Sequence, residues 1–341
     1  MNKKVVTFGE IMLRLSPPNY KRIIQADTFD VTYGGGESNV AVSLANFGIN
    51  SYYVTKVPKN PIGQSVINHL RRYGVQTKYI VEDGNRLGIY FLETGFSQRP
   101  SKVTYDRKTS AISEAEISDF NWKEIFKDAA WFHFTGITPA ISDKATLVTL
   151  DACKNAKEMG ITISADINYR KKLWSQSKAS KVMSELMQYV DIIIGNEEDA
   201  ERVFGIKAVD SNVDKGNISV EGYKKVSKEL FDKFKCKYVA ITLRESFSAS
   251  DNGWSGLLYD GKNYYFSNKY KIHILDRVGG GDSFAAGLIY ALLQKRPSVG
   301  VINFAVAASC LKQTIFGDTN LVSDSEVEDL LKNGGSGRVQ R

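Results

Sequence analysis

The chain has 341 residues, enough to bury a large core as one α/β domain or as two smaller ones. Its composition is that of an ordinary soluble globular protein, and 45 Lys and Arg against 38 Asp and Glu leave a formal charge of +7. The basic residues form no long block interleaved with aromatics, which sets nucleic acid aside; a mild positive balance suits anionic small molecules.

Cys153, Cys236 and Cys310 are far apart and without CxxC spacing, as free thiols in a reducing compartment would be. His69, His133 and His273 are equally scattered, so no histidine metal site is expected. The N-terminal apolar run is too short for a signal peptide, and no run reaches transmembrane length. The expectation is therefore a cytoplasmic protein with no membrane contact.

In chain order, Val5–Phe8 is a short strand ending at Gly9-Glu10. Residues 14–33, rich in Pro, Asn, Asp and Tyr, predict an irregular or β excursion. Gly34-Gly35-Gly36-Glu37-Ser38-Asn39 is a Gly-rich turn entering a helix that Gly48 ends. Ser38 and Asn39 stand in its first turn, where side-chain bonds to a polyol are easy. The turn does not match GxGxxG, and no GxxxxGK[ST] occurs, so neither a dinucleotide fold nor a P-loop is expected. Ser51–Val57 reads as a strand and Ile62–Tyr73 as a helix. Leu87–Glu93 and Ser101–Asp106 are β-like runs around a Gly/Ser/Pro turn, which with 14–33 predict a small separate sheet.

From about residue 110 strands and helices alternate. Strands are expected at 131–135, 162–166, 191–195 and 238–242, with helices near 143–159, 178–189 and 221–234, and a polar loop at 209–219. A hairpin at Trp254–Phe266 turns at Asp260-Gly261. A final apolar helix near 299–314 precedes a tail expected to fray from Lys332. The alternation predicts a mostly parallel sheet with helices on both faces, whose ligands sit at the carboxyl ends of the strands. Polar residues gather at those ends: Asp166–Arg170, Asn196–Asp199 and Thr242–Ser246.

The stretch Asp276-Arg277-Val278-Gly279-Gly280-Gly281-Asp282-Ser283 runs into an apolar helix. Bare glycine amides at the positive end of a helix dipole make an anion site, and Asp282 placed in that site is suited to act as a general base beside a phosphate. Ordinary helix capping by Asp and Ser explains the stretch alone equally well.

The two Gly-rich turns together resemble the ribokinase-like (PfkB-type) carbohydrate kinases, over nearly the whole chain. Gly34–Asn39 is similar to that family's sugar-side motif, and Asp276–Asp282 to its D-T-x-G-A-G-D signature, with Arg277 for Thr and Gly280 for Ala. Asn196–Asp199 is similar to its N-x-x-E element, ending in Asp. Arg244 stands where a Thr-x-Gly nucleotide loop usually has Gly. The resemblance implies a three-layer α/β/α fold with a mostly parallel sheet and a small β-sheet lid. Residues 1–13, 34–85 and 109–330 would form the core, 14–33 and 86–108 the lid, and 331–341 a flexible tail.

Within the family, Gly34, Tyr90, Tyr105-Asp106-Arg107 and Arg170 resemble kinases of the sugar acid 2-keto-3-deoxygluconate, whose carboxylate suits the planar fork of arginine. The cofactors implied are ATP and Mg2+. The resemblance implies Asp282 as base and Gly279, Gly280 and Gly281 as anion hole. Gly34, Gly35, Asn39, Tyr90, Tyr105, Arg107, Arg170 and Asp282 would meet the sugar acid. Asn168, Asn196, Thr242, Arg244, Gly279 and Gly281 would meet ATP, and Glu197 the metal through water. A homo-oligomer through the lid is expected. The alternatives are a fructokinase or other sugar kinase of the same fold, and a non-catalytic sugar-acid sensor.

Overall fold

Short apolar runs such as Val5–Phe8 and Ile192–Ile194 become strands buried on both faces, as a parallel sheet covered by helices requires. The computed structural model describes residues 3–208 and 219–335. In chain order, β1 is Lys4–Phe8, β2 Met12–Ser16, β3 Asp30–Gly34, α1 Gly36–Asn46, β4 Asn50–Val57, α2 Pro61–Arg72, β5 Ile80–Glu82, β6 Gly88–Glu93 and β7 Lys102–Asp106. Then come α3 Trp122–Ile125, β8 Ala129–Thr135, α4 Ile137–Ile141, α5 Asp143–Glu158, β9 Thr162–Asp166, α6 Gln176–Leu186, β10 Ile192–Gly195 and α7 Glu197–Phe204. The chain continues with α8 Val220–Phe234, β11 Tyr238–Ser246, β12 Asp251–Tyr259, β13 Tyr264–Phe266 and β14 Tyr270–His273. It ends with α9 Gly280–Leu293, α10 Ser298–Lys312 and α11 Asp324–Asn333.

The large sheet has the order β13-β12-β11-β10-β9-β8-β1-β4-β5, with β14 also on β12. Its pairings are parallel from β11 to β5 and antiparallel around β12. One face packs on α5, α6 and α8 through residues such as Val148, Met183 and Leu230. The other packs on α1, α9 and α10 through Leu44, Phe284 and Phe304. This is the expected three-layer arrangement. Among the described residues no helix is long and apolar enough to cross a membrane.

The small sheet is separate, with the order β3-β2-β6-β7. Its hairpin pairs are antiparallel, but β2 and β6 run parallel. Side chains alternate across a strand, so Met12, Tyr90 and Tyr105 turn toward the cleft beneath while Leu13, Leu15, Ile89 and Phe91 share the outer face.

Four expectations change. The helix near 299–314 is not the last, since α11 follows, opened by a Ser323–Glu326 capping box. Because α11 runs to Asn333, residues 331–333 are helical rather than frayed. Thr242–Ser246 is strand, not loop, because β12 pairs with it through Ser246. The small sheet begins at Met12, two residues before the boundary expected for it. The predicted polar loop at 209–219 lies, except for Ser219, outside the described residues, as does the tail from 336.

The α9–α10 contact holds the cleft's helix in place, and it is close because Gly287 has no side chain: a Cβ there would stand 2.9 Å from the Ala305 Cα. Gly287→Leu should therefore lower the free energy of unfolding in denaturant by about 1–3 kcal/mol through overpacking. An unchanged midpoint and slope would show the two helices to be loosely apposed.

Candidate active site

A cleft of about 530 Å³ opens between the small sheet and the carboxyl ends of the central strands. Each predicted site residue whose side chain is described lines it. Gly34 and Gly35 enter at the start of α1, with Asn39 one turn in; Tyr90, Tyr105 and Arg107 come from the small sheet. Asn168, Arg170 and Asn196 follow the ends of β9 and β10, and Thr242 and Arg244 stand on β11. Gly279, Gly280, Gly281 and Asp282 close it at the start of α9. The Glu197 side chain lies outside the described ones.

The three glycines before Asp282 differ in what they do. Gly279 has φ +83°, and a Cβ there would meet the Asp318 carbonyl oxygen at 1.8 Å, so only glycine fits. The Gly280 N–H donates to the Arg277 carbonyl oxygen at 3.2 Å, which removes it from the expected anion hole. The amides of Gly279, Gly281 and Asp282 have no such acceptor among the described residues, and the helix has no side-chain cap. Three N–H groups at a helix start are thus left for a ligand.

Asp282 accepts a 2.7 Å hydrogen bond from Asn39 Nδ2. Burial pushes its carboxyl up to about 6, against the Asn39 bond, which favours the ionised form. Asp318 pushes it further up, while Arg170 and Lys312 pull it down. The α1 turn that carries Asn39 is pinned by Glu37, which is buried and accepts from the Thr135 N–H (2.9 Å), Thr135 Oγ1 (2.9 Å) and Thr138 Oγ1 (2.6 Å). Burial raises Glu37 to about 7 despite those bonds.

Two further acids stand at the strand ends. Asp166 is pushed well above the usual carboxylate range, first by burial and then by Asp199 and Asp282. Asp199 forms a capping box with Asn196 and accepts the Tyr169 N–H at 2.8 Å. Burial raises it to about 6, opposed by Arg170 and those backbone bonds. Among the described residues no group of three or more His, Cys, Asp or Glu could hold a metal ion directly.

The cations are unequally free. Arg107 is buried and ion-paired with Glu10, which also accepts from Ser110 Oγ at 2.6 Å. Its charge is thus partly committed before any ligand arrives. Arg170 is exposed and donates to its neighbour's carbonyl, Tyr169 O, at 3.1 Å. Tyr90 is likewise committed, its hydroxyl donating to Asp318, so it offers the cleft its ring rather than its O–H.

Behind the amides lies a group of charges that sequence reading missed. Arg14 of β2 is ion-paired with both Asp276, at 2.6 Å, and Asp318. Burial alone would lower the Arg14 guanidinium, but Asp318 and Asp276 hold it raised. Lys312 is fully buried and donates to Asp276 O at 3.1 Å and Gly317 O at 2.6 Å. Asp276 opened the Gly-rich signature, but nothing local marked its partners: Arg14 heads a segment that reads as an irregular or β excursion, and Gly317-Asp318 matches no motif.

The model of the pfkB family carbohydrate kinases matches residues 2–324. A 2-dehydro-3-deoxygalactonokinase of Haloferax volcanii is 32% identical over 337 residues, covering 99% of each chain. A 2-dehydro-3-deoxygluconokinase of Bacillus subtilis is 27% identical, covering 86% of this chain and 84% of its own. Among solved structures, a 2-dehydro-3-deoxygluconokinase of Thermotoga maritima superposes with a TM-score of 0.94 at 53% identity, covering 97% of this chain and all of its own.

Arg14→Met removes one cation from between two buried carboxylates. Breaking such a pair should cost about 3–5 kcal/mol of stability. The stranded carboxylates would bind protons more readily in the native state than in the unfolded one, so the loss should be larger at pH 8 than at pH 5. Denaturant titrations at both values check this; an equal loss would mean that the acids are already solvated.

Proposed function

Because the chain belongs to the pfkB family of carbohydrate kinases, we propose that it transfers the γ-phosphate of ATP to the 6-hydroxyl of 2-keto-3-deoxygluconate (2-dehydro-3-deoxy-D-gluconate). The observation that carries this reading is the Asp282 carboxylate set among bare amides in a cleft that Arg170 also lines. The family's named kinases of closely similar sugar acids support the choice of substrate.

In this reading Asp282 accepts the proton of the 6-hydroxyl as that oxygen attacks phosphorus. Asn39 orients the carboxylate and favours its ionised form. The N–H groups of Gly279, Gly281 and Asp282 meet the charge that develops on the transferring phosphoryl oxygens. Arg170 meets the sugar carboxylate, with the free edge of Arg107: its Nε is buried with no protein partner. Tyr90 and Tyr105, with ring centroids 6.0 Å apart, wall the sugar on the small-sheet side. That sheet covers the cleft as a lid and excludes water, which protects ATP from hydrolysis.

The family's kinases use ATP, and magnesium accompanies its phosphates. The donor set fits an ion held mainly by phosphate oxygens and water, since no three-ligand cluster stands in the described residues. Asn196, Glu197 and Asp166 are the residues that would meet its water shell, and the ion would supply charge neutralisation at the phosphates. The outer face of the lid, with Leu15, Ile89, Phe91 and the exposed Val31, would bury itself against a second lid in a homo-oligomer.

A coupled assay with ATP, magnesium and a substrate panel tests the reading. Turnover of 2-keto-3-deoxygluconate should exceed that of fructose by orders of magnitude; the reverse order would replace the sugar acid with a neutral sugar. Asp282→Asn should retain fold and ATP binding and lose about 10²–10⁴-fold in kcat, the usual contribution of a positioned base. In the wild type kcat/KM should fall as pH drops through about 6, where Asp282 takes up its proton. Asn39→Ala, which removes a bond favouring the ionised form, should move that limb to higher pH; an unmoved limb would assign it to another group.

A further inference from the structure

Arg244 and Arg277 are the two cleft arginines that the mechanism above leaves unused. Arg244 stands on β11, on the same strand face as Thr242 and directly across from Trp254 of β12. Arg277 belongs to the segment that leads into α9, two residues before Gly279, and donates only long hydrogen bonds, to Ala249 O at 3.3 Å and Asn252 Oδ1 at 3.5 Å. Both line the cleft and both are half-buried. Among the described residues neither has a carboxylate within ion-pair distance, whereas Arg14 and Arg107 do. The Arg244 Nε is buried without any hydrogen-bond partner. The two guanidiniums also oppose each other: Arg277 is lowered by burial first and by the charge of Arg244 second.

Two like charges in a half-buried cleft, with donors unused, form an unfavourable arrangement until an anion comes between them. A single carboxylate answers one guanidinium fork; two forks call for an anion of more charge and more oxygens. Their place decides which anion. They stand on the β11–β12 half of the sheet and beside Gly279, away from the tyrosines and Arg107 contributed by the lid. An anion seated on the free amides of Gly279, Gly281 and Asp282 would extend toward this pair if it carried further phosphates.

The geometry points to Arg244 and Arg277 as a clamp on the α- and β-phosphates of the nucleotide, so that this chain holds its nucleotide chiefly by charge on the phosphate tail. The inference rests on the ATP-dependent reading above. It also gives a physical account of two of the chain's departures from the family's motifs, Arg244 for Gly and Arg277 for Thr.

Calorimetry with ADP, AMP and inorganic pyrophosphate tests it without turnover. The wild type should bind ADP much more tightly than AMP, and pyrophosphate should displace ADP. Arg244→Gln and Arg277→Thr should each weaken ADP by about tenfold, the order expected for one charge-assisted hydrogen-bonding group. Both should weaken AMP, which offers only the α-phosphate, less than ADP and leave the KM for the sugar acid unchanged, with fold checked by thermal unfolding. Equal wild-type affinity for ADP and AMP, with no displacement by pyrophosphate, overturns the clamp even if a variant fails to fold. A raised KM for the sugar acid with unaltered ADP binding overturns it in favour of a substrate-carboxylate site. Failure of the wild type to phosphorylate any sugar acid while the ADP, AMP and pyrophosphate pattern holds would sink the catalytic reading and support the clamp.

Discussion

Arg14 between Asp276 and Asp318, with Lys312 alongside, is the constraint on which the cleft depends. The four charges sum to zero, yet each has been taken out of water at a cost of several kcal/mol. They join parts of the chain that lie far apart in sequence. Arg14 belongs to the lid strand β2, Asp276 to the entry of α9, Lys312 to the end of α10, and Asp318 to the loop after it. Tyr90 adds the lid strand β6 through its bond to Asp318. The turn that presents the Gly279 and Gly281 amides is therefore clamped from both sides, and those amides are held open without bonds of their own. Gly34 follows the same logic: a Cβ there would meet the Asp318 carboxylate at 2.0 Å.

The distribution of charge in front of that clamp answers a difficulty. Burial raises Asp166, Asp199, Asp282 and Asp318 together. A base already at about 6 would protonate further on the arrival of a triphosphate and a sugar acid, and would then be useless as a base. Cations within reach of Asp282 counter this. Arg170 and Lys312 both act on it in the helpful direction, one from the open side of the cleft and one from the buried side. Anion recognition and base strength thus draw on the same positive charges.

Much of the architecture was legible because parallel strands buried on both faces are short apolar runs that end in small or polar residues, and ligands collect at those ends. The cleft residues from Asp166 to Arg170 were readable for that reason, and Gly34 to Asn39 and Gly279 to Asp282 as Gly-rich turns that enter helices. The buried charges were not. Arg14 and Lys312 look like surface residues in sequence, and the partners that make Arg14 interior lie 262 and 304 positions away. Glu37 was hidden inside a motif read for its glycines, although its three bonds to Thr135 and Thr138 hold the motif down. The parallel pairing of β2 with β6 follows from how the chain crosses the core between them, which no local pattern records.

Asp199 shows how a shorter side chain can serve where the family signature carries a longer one. Placed at the third position of α7, its Oδ2 accepts the Asn196 N–H at 3.3 Å and its Oδ1 accepts the Tyr169 N–H at 2.8 Å. Both oxygens are thereby directed at the backbone. Those two bonds fasten the end of β9 to the end of β10, across the turn where Asn168 adopts φ +41°. Arg170 follows that turn directly, so the place of an exposed arginine is set by a buried acid 29 residues further on. A glutamate would carry its carboxylate one methylene beyond the Tyr169 amide and would have to fold back to keep the bond. In this chain the acid of the element holds the loop that delivers the cation, and the cation in turn favours the ionised forms of Asp199 and Asp282 against the burial that raises both.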